Sequence, residues 1–457
     1  MKSIYWSATL AIFILACDPA IETPEPHAGE ADFSNYIAIG NSFTAGYSNL
    51  GLYPEGQEVS FPNLIAKQLA LAGGGEFAQP LMPENGSGYL RLTGIVNSLP
   101  VVDSIPANPR ALDKVEGPFN NLGVPGIRVR DVATPGYGLL NPYLNRMLPA
   151  GQETKTYAQL IAESAPTFFT CWIGSNDVMD YALAGGAFGV EGLPVTGQFG
   201  LTPPNEFAAA YDALVDAVGE ARGILVAVPD ITMASLFNTL PRMLIPVTNP
   251  DDAALLNQSY APYNMGVELY NSQVPEAQRL RKIEFRVGAN YPVVADQSIP
   301  DESGLPKFSQ LNDEGYLLLT LALVPADSLA SPQEGGRGWG TASPIPDRYV
   351  ITAAEAAIIR SHVEAYNAAI RSHAGDRIGV YESQELMEKL AQGMFINGHP
   401  VNAKYLEGGV FSLDGVHLTP RGNALAANEL IRAINAKFGS RIPVLVETQY
   451  PGVDMPF

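Results

Sequence analysis

Basic residues are scarce: 27 Lys and Arg stand against 47 Asp and Glu in 457 residues, a formal charge of −20. No basic block occurs, which excludes a nucleic-acid partner, because replacing the counterions of a polyanion takes clustered Lys and Arg. Cysteine is scarcer still. With only Cys17 and Cys171, a disulfide-stapled scaffold is excluded, and Cys171, inside an apolar run, reads as a buried, inert thiol. The five histidines are too few at ligand spacing for a metal-dependent phosphoesterase, so neither metal nor cofactor is expected. Beyond the N-terminus no apolar run reaches the roughly 20 residues of a membrane span. Charged residues make up only 16% of the chain while Gly (44) and Pro (37) are abundant, a composition of long structured loops, where specificity usually resides.

What is present begins with a targeting pattern. Lys2 opens the chain, residues 4–16 are almost wholly apolar, and Ala16 precedes Cys17, as at a secretory cleavage site. Phe13-Ile14-Leu15-Ala16-Cys17 resembles a bacterial lipoprotein signal, which implies residues 1–17 as a signal segment, lipidation at Cys17, and a place in the cell envelope, at the outer membrane or in the periplasm. Leu15 stands where a smaller residue is commoner, so plain secretion stays open. Residues 18–33, with Pro19, Pro24 and Pro26 among acids, have the composition of a solvated tether.

The folded part reads as strands alternating with helices. A buried apolar run at 35–40 ends abruptly at Gly40-Asn41-Ser42, and Thr167–Ile173 ends in the same way at Gly174-Ser175-Asn176-Asp177. Gly223–Val228 and Arg377–Tyr381 supply further buried strands, and Phe119–Val124 a shorter one before Pro125-Gly126. Between them the spacing predicts helices from Phe61 to about Ala72, over 205–221, from Thr352 to about His373 with a capping box at Thr352 and Glu355, and from Pro420 to about Phe438 behind a Thr419 cap. Such alternation argues for a parallel sheet covered on both faces. The rhythm lapses at about 237–350, an insertion expected to build part of the substrate pocket. Within it Ile283–Asp296 reads as a hairpin, and Trp339 as either a substrate-facing aromatic or a core residue. Residues 77–118 read as loop-rich with only short apolar runs, and 441–457 as a C-terminal tail.

In a parallel sheet, residues just past the strand ends share one rim. Ser42, the Gly123/Gly126 turn, Asn176 and the Asp414–His417 pair all fall there, although Ser42 and His417 are 375 positions apart. A serine hydroxyl becomes a nucleophile when a histidine takes its proton, and a carboxylate steadies that histidine. Asp414, three residues before His417, is spaced to reach back to it. Backbone N–H groups of Ser42 and of Gly126 or Gly123, with the Asn176 amide, are candidate oxyanion donors.

Gly40-Asn41-Ser42, Gly126, Gly174-Ser175-Asn176-Asp177 and Asp414-Gly415-Val416-His417, in that order, resemble the four blocks of the SGNH/GDSL hydrolase superfamily. The resemblance implies a three-layer α/β/α flavodoxin-like domain, here residues 34–440, and esterase or lipase activity without a metal. It implies Ser42, His417 and Asp414 as catalytic residues, and Ser42, Gly126 and Asn176 as the oxyanion hole. Asn41 stands in place of the usual aspartate and Phe43 in place of the usual leucine. The expected partner is a small-molecule, glycan or lipid ester, with membrane contact only through the N-terminal anchor. The competing reading is a non-catalytic, surface-anchored binding lipoprotein on the same scaffold.

Overall fold

The computed structural model describes residues 25–96, 99–186 and 200–454. The expected signal segment, Cys17 and the first part of the tether lie outside the described residues.

Four strands, β1 (Tyr36–Gly40), β2 (Phe168–Trp172), β3 (Arg222–Val226) and β4 (Ile378–Tyr381), pair in parallel in that spatial order. Every residue of β1 and β2 is buried, as expected of strands covered on both faces, and this is why both read as mainly apolar runs. The segment 120–124 lies along the free edge of β1: Ala38 N–H donates to Asn120 O (2.8 Å), and the N–H groups of Leu122 and Val124 donate to Ala38 O (2.8 Å) and Gly40 O (2.9 Å). Counting that segment, the edge-to-edge order is second, first, third, fourth, fifth, which is the flavodoxin-like order.

Side-chain alternation along β2 sorts the covering helices. Phe168 meets Phe438 of the C-terminal helix at 5.6 Å and Trp172 meets Phe61 at 5.3 Å, while Cys171, of opposite parity, faces Tyr211. One layer therefore holds α2 (Phe61–Ala70) and the C-terminal helix α8 (Pro420–Phe438). The other holds α3 (Tyr157–Glu163), α5 (Pro204–Ala217) and α6 (Ala353–Ser372). Short α1 (Ser42–Ala45) and α4 (Asn176–Leu183) start directly at the ends of β1 and β2, and α7 (Ser383–Gln392) follows β4. The expected caps form: Thr352 Oγ1 accepts from Glu355 N–H while Glu355 Oε2 accepts from Thr352 N–H, and Thr419 Oγ1 accepts from Gly422 N–H. No helix among the described residues is long and apolar enough to cross a membrane.

Three expectations are corrected. Residues 77–118 hold more than loop with short apolar runs, because Tyr89–Val96 and Leu99–Ile105 pair as an antiparallel hairpin. Its apolar side chains Leu90, Leu92 and Val102 rest on Leu406 and Leu413, distant partners that set a pairing which Gly94 and Pro100 disguise. Ile283–Asp296 is not a hairpin on itself. Gly288–Asn290 pairs with Ile245–Val247 and Val293–Ala295 with Phe308–Gln310, since buried Ile283 and Phe285 are held by a separate small core with Val247, Tyr263 and Val267. Residues 441–454 are no loose tail: Asn428 of α8 bonds both the N–H (2.7 Å) and the carbonyl (2.9 Å) of buried Leu445.

The turn that carries Ser42 depends on Gly40. A Cβ there would lie 2.2 Å from Thr44 Oγ1 and 2.3 Å from the Trp172 carbonyl, and its N–H is held by the Tyr157 hydroxyl at 3.0 Å. Overpacking of this kind costs about 1–3 kcal/mol. Gly40→Ala should lower unfolding stability by that amount, measured by urea denaturation; an unchanged midpoint would show that the turn has slack.

Candidate active site

Ser42 sits on the first turn of α1, where the buried β1 stops. Asn41 caps that turn, its Oδ1 accepting from Phe43 N–H at 3.1 Å. At the opposite end of the chain, Asp414-Gly415-Val416-His417 forms a tight turn just before α8: Asp414 Oδ1 accepts from the N–H groups of Val416 (2.9 Å) and His417 (2.8 Å). The imidazole thereby reaches both neighbours. Its Nδ1 lies 3.0 Å from Asp414 Oδ2 and its Nε2 lies 2.8 Å from Ser42 Oγ.

Burial by itself would raise the Asp414 carboxyl, but attraction to His417 and hydrogen bonds from the imidazole and from the N–H groups of Leu50 and Val416 outweigh it. The carboxyl is held well below the usual carboxylate range. It is therefore an anion at neutral pH, suited to fix the imidazole tautomer and to stabilise an imidazolium.

Residues 48–50 lock the two segments together, a role that no motif announced. Ser48 Oγ donates to Leu418 O (3.0 Å), Asn49 N–H to Ser412 Oγ (3.0 Å), Leu413 N–H to Asn49 Oδ1 (3.0 Å) and Leu50 N–H to Asp414 Oδ2 (3.0 Å). Asn49 and Leu50 adopt left-handed backbone angles, φ +51° and +62°, a strain that a β-substituted residue bears only where its surroundings impose it. The imidazole is also flanked by rings, Tyr47 at 4.7 Å and Phe43 at 5.2 Å. The turn-like composition of Ser48-Asn49-Leu50-Gly51 was the one available signal for this strap.

The oxyanion candidates meet the same rim. Between the two glycines left open by the sequence, the hydrogen bonds discriminate: Gly123 N–H is taken by Asn121 Oδ1 (2.9 Å), whereas Gly126 is exposed and its N–H makes no bond among the described residues. Gly126 holds φ +80°, which favours glycine. The Ser42 N–H, first in its helix, is likewise without an internal partner. Asn176 Nδ2 gives one proton to Ile127 O (2.9 Å), which ties its amide to the loop carrying Gly126 and leaves a second proton to donate.

Comparison with known proteins bears on this arrangement. The family model of GDSL-like lipases/acylhydrolases matches residues 36–295, more than half of the chain. The chain belongs to the GDSL-like lipase/acylhydrolase family. No curated protein and no solved structure matches it. The family match spans the segments of Ser42, Gly126 and Asn176 and ends before Asp414 and His417, which the fold brings beside Ser42 from outside the matched region.

Two further expectations meet the structure differently. An apolar cavity borders the candidate site, and the residues that wall it lie outside residues 237–350, so the insertion does not supply that cavity. The insertion instead braces the Asp414 turn, with Leu319 in the main core beside Gly415. Trp339 packs against the insertion's own core, its ring 5.8 Å from that of Tyr349. Cys171 is buried, and burial pushes its thiol up to about 12.

The aspartate after Asn176 performs a task that sequence reasoning left unassigned. Asp177 is fully buried; its Oδ2 accepts from Val129 N–H (2.9 Å) and its Oδ1 from Thr202 Oγ1 (2.6 Å). Next to the Asn176–Ile127 bond, this clamps the Gly126 loop to the start of α4. Burial pushes the Asp177 carboxyl up to about 7, its hydrogen bonds opposing only in part.

A folded-state value above the unfolded one of about 3.9 means that the native state holds the extra proton, so this group's contribution to stability declines as pH rises from about 4 to about 7. Relative to Asp177→Asn, the wild type should lose unfolding free energy across that window and level off above it. Denaturant titrations at pH 4.5, 6 and 8 check this, and a pH-independent difference would contradict it.

Proposed function

We propose that the protein is a serine ester hydrolase in which Ser42 attacks an ester carbonyl and His417 serves first as base and then as acid. The observation that carries this reading is the unbroken chain of contacts from Ser42 Oγ through His417 to Asp414, 2.8 and 3.0 Å long. In the first half-reaction His417 Nε2 takes the Ser42 proton as the C–O bond forms. The carbonyl oxygen, now an anion, is held by the Ser42 and Gly126 N–H groups and the Asn176 amide. Collapse of that intermediate expels the alcohol, which leaves with the proton from His417. Water then repeats the sequence on the acyl-serine, releasing the acid and restoring Ser42. Asp414 stays ionised throughout.

A binding module on this scaffold gains nothing from an imidazole bonded to a hydroxyl, so the contact chain favours the enzyme. A fluorophosphonate probe should label Ser42 in the wild type and fail in His417→Ala. Removing one oxyanion donor by Asn176→Ala should cost about 10²–10³ in kcat, and Asp414→Asn about 10⁴. Folded protein whose Ser42 ignores the probe would return the chain to the binding reading.

We also propose export and lipid attachment at Cys17, supported by Lys2, the apolar run to Ala16 and the cysteine that follows. Cells given an alkyne-tagged fatty acid should tag the chain, and Cys17→Ser should abolish the tag. Tagging that survives Cys17→Ser would contradict the assignment.

A further inference from the structure

The apolar cavity of about 60 Å³ walled in part by Phe43, the residue after Ser42, carries the question of substrate class further. Three of the segments that form the site each give it a wall residue adjacent to their own functional group: Phe43 after Ser42, Ser175 before Asn176, and Val416 before His417. Its inner wall is apolar, built from Met179 of α4 and from Leu386, Met387 and Leu390 of α7, with the stacked rings of Phe43 and Trp172 (5.2 Å, 3° apart) on one side. Three polar side chains at its border are engaged elsewhere, while the indole N–H of Trp172 is buried without a partner among the described residues. Ser383 Oγ donates to Ala227 O, Asp230 Oδ1 accepts from Thr232 N–H, and the Tyr381 hydroxyl donates to Glu429. The surface is otherwise almost wholly apolar, which suits methylenes, whereas a sugar carrying several hydroxyls would leave most of them without partners.

We propose that this cavity receives the acyl chain of the substrate, so that the protein prefers esters of alkanoic acids longer than acetate to acetylated glycans. The assignment rests on the Ser42 hydrolase reading. Met387 and Leu386 are half-buried on an amphipathic helix, so the wall is lined by side chains that adapt to the chain they enclose. Each methylene buried in such a site contributes about fourfold to kcat/KM.

The test compares p-nitrophenyl esters from acetate to octanoate, acetylated xylan, and a set of alkyl acetates of rising alcohol length on the full-length chain. Expected is a rise of about fourfold per added methylene over the first few acyl carbons, no comparable rise with alcohol length, and weak release of acetate from the glycan. Met387→Trp and Leu386→Trp, each with the wild-type circular dichroism and melting temperature, should lower the hexanoate-to-acetate ratio of kcat/KM at least tenfold. A flat acyl profile, a preference that follows the alcohol instead, or an unchanged ratio in both folded variants would overturn the acyl assignment while turnover of any ester leaves the hydrolase reading standing. Wild-type protein that neither hydrolyses an ester nor takes the fluorophosphonate overturns both.

Discussion

The site depends on holding two segments in register that lie more than 360 residues apart in the chain. A shift of 1 Å between Ser42 and His417 would break the 2.8 Å contact, and neither α1 nor the Asp414 turn has a covalent reason to stay beside the other. The tie is the strap of hydrogen bonds from Ser48, Asn49 and Leu50 to Leu418, Ser412, Leu413 and Asp414. One of these bonds ends on the carboxylate that orients the imidazole, so the strap that aligns the backbones also helps to hold that carboxylate as an anion. Strain at Asn49 and Leu50 is the conformational cost of turning the Leu50 N–H towards it.

Two buried aspartates near the site illustrate how partners decide charge. Asp414 receives the histidine and three backbone N–H groups, and its carboxyl is held down. Asp177 receives one backbone N–H and one hydroxyl in a fully buried pocket, and its carboxyl is pushed up to about 7. Opposite environments separate their tasks, an anion beside the imidazole and a structural clamp beneath the Gly126 loop. Phe43 joins the two regions: it flanks the His417 ring, stacks on Trp172 and borders the apolar cavity.

The insertion shows the other use of a long interruption. Residues 237–350 carry small cores of their own, one around Val267 and Ile283 and another around Leu317 and Val350, and Leu319 reaches the back of the Asp414 turn beside Gly415. The apolar cavity is walled in part by α7 and by residues ahead of α8, elements that follow the insertion in the chain but adjoin the sheet rim in space.

Strand ends, helix caps and the four motif segments were legible in the sequence because each is specified locally. A doubly covered strand must be apolar or have its polar groups paired, as in Phe168–Trp172, where the Thr170 hydroxyl is bonded to that of Tyr36. A helix start such as Thr419-Pro420 satisfies its own N–H groups. A sharp stop at Gly40 needs a residue without a Cβ. The hairpin at 89–105, the pairing of 288–290 with 245–247, the strap at 48–50 and the composition of the apolar cavity were not legible, because each is decided by partners hundreds or tens of residues away. Sequence alone therefore determined which residues stand at the rim and what chemistry they offer. Only the tertiary structure decided that Gly126 rather than Gly123 has its N–H to spare, and that α7 rather than the insertion helps to wall the apolar cavity next to Phe43, since both turn on which groups meet in three dimensions.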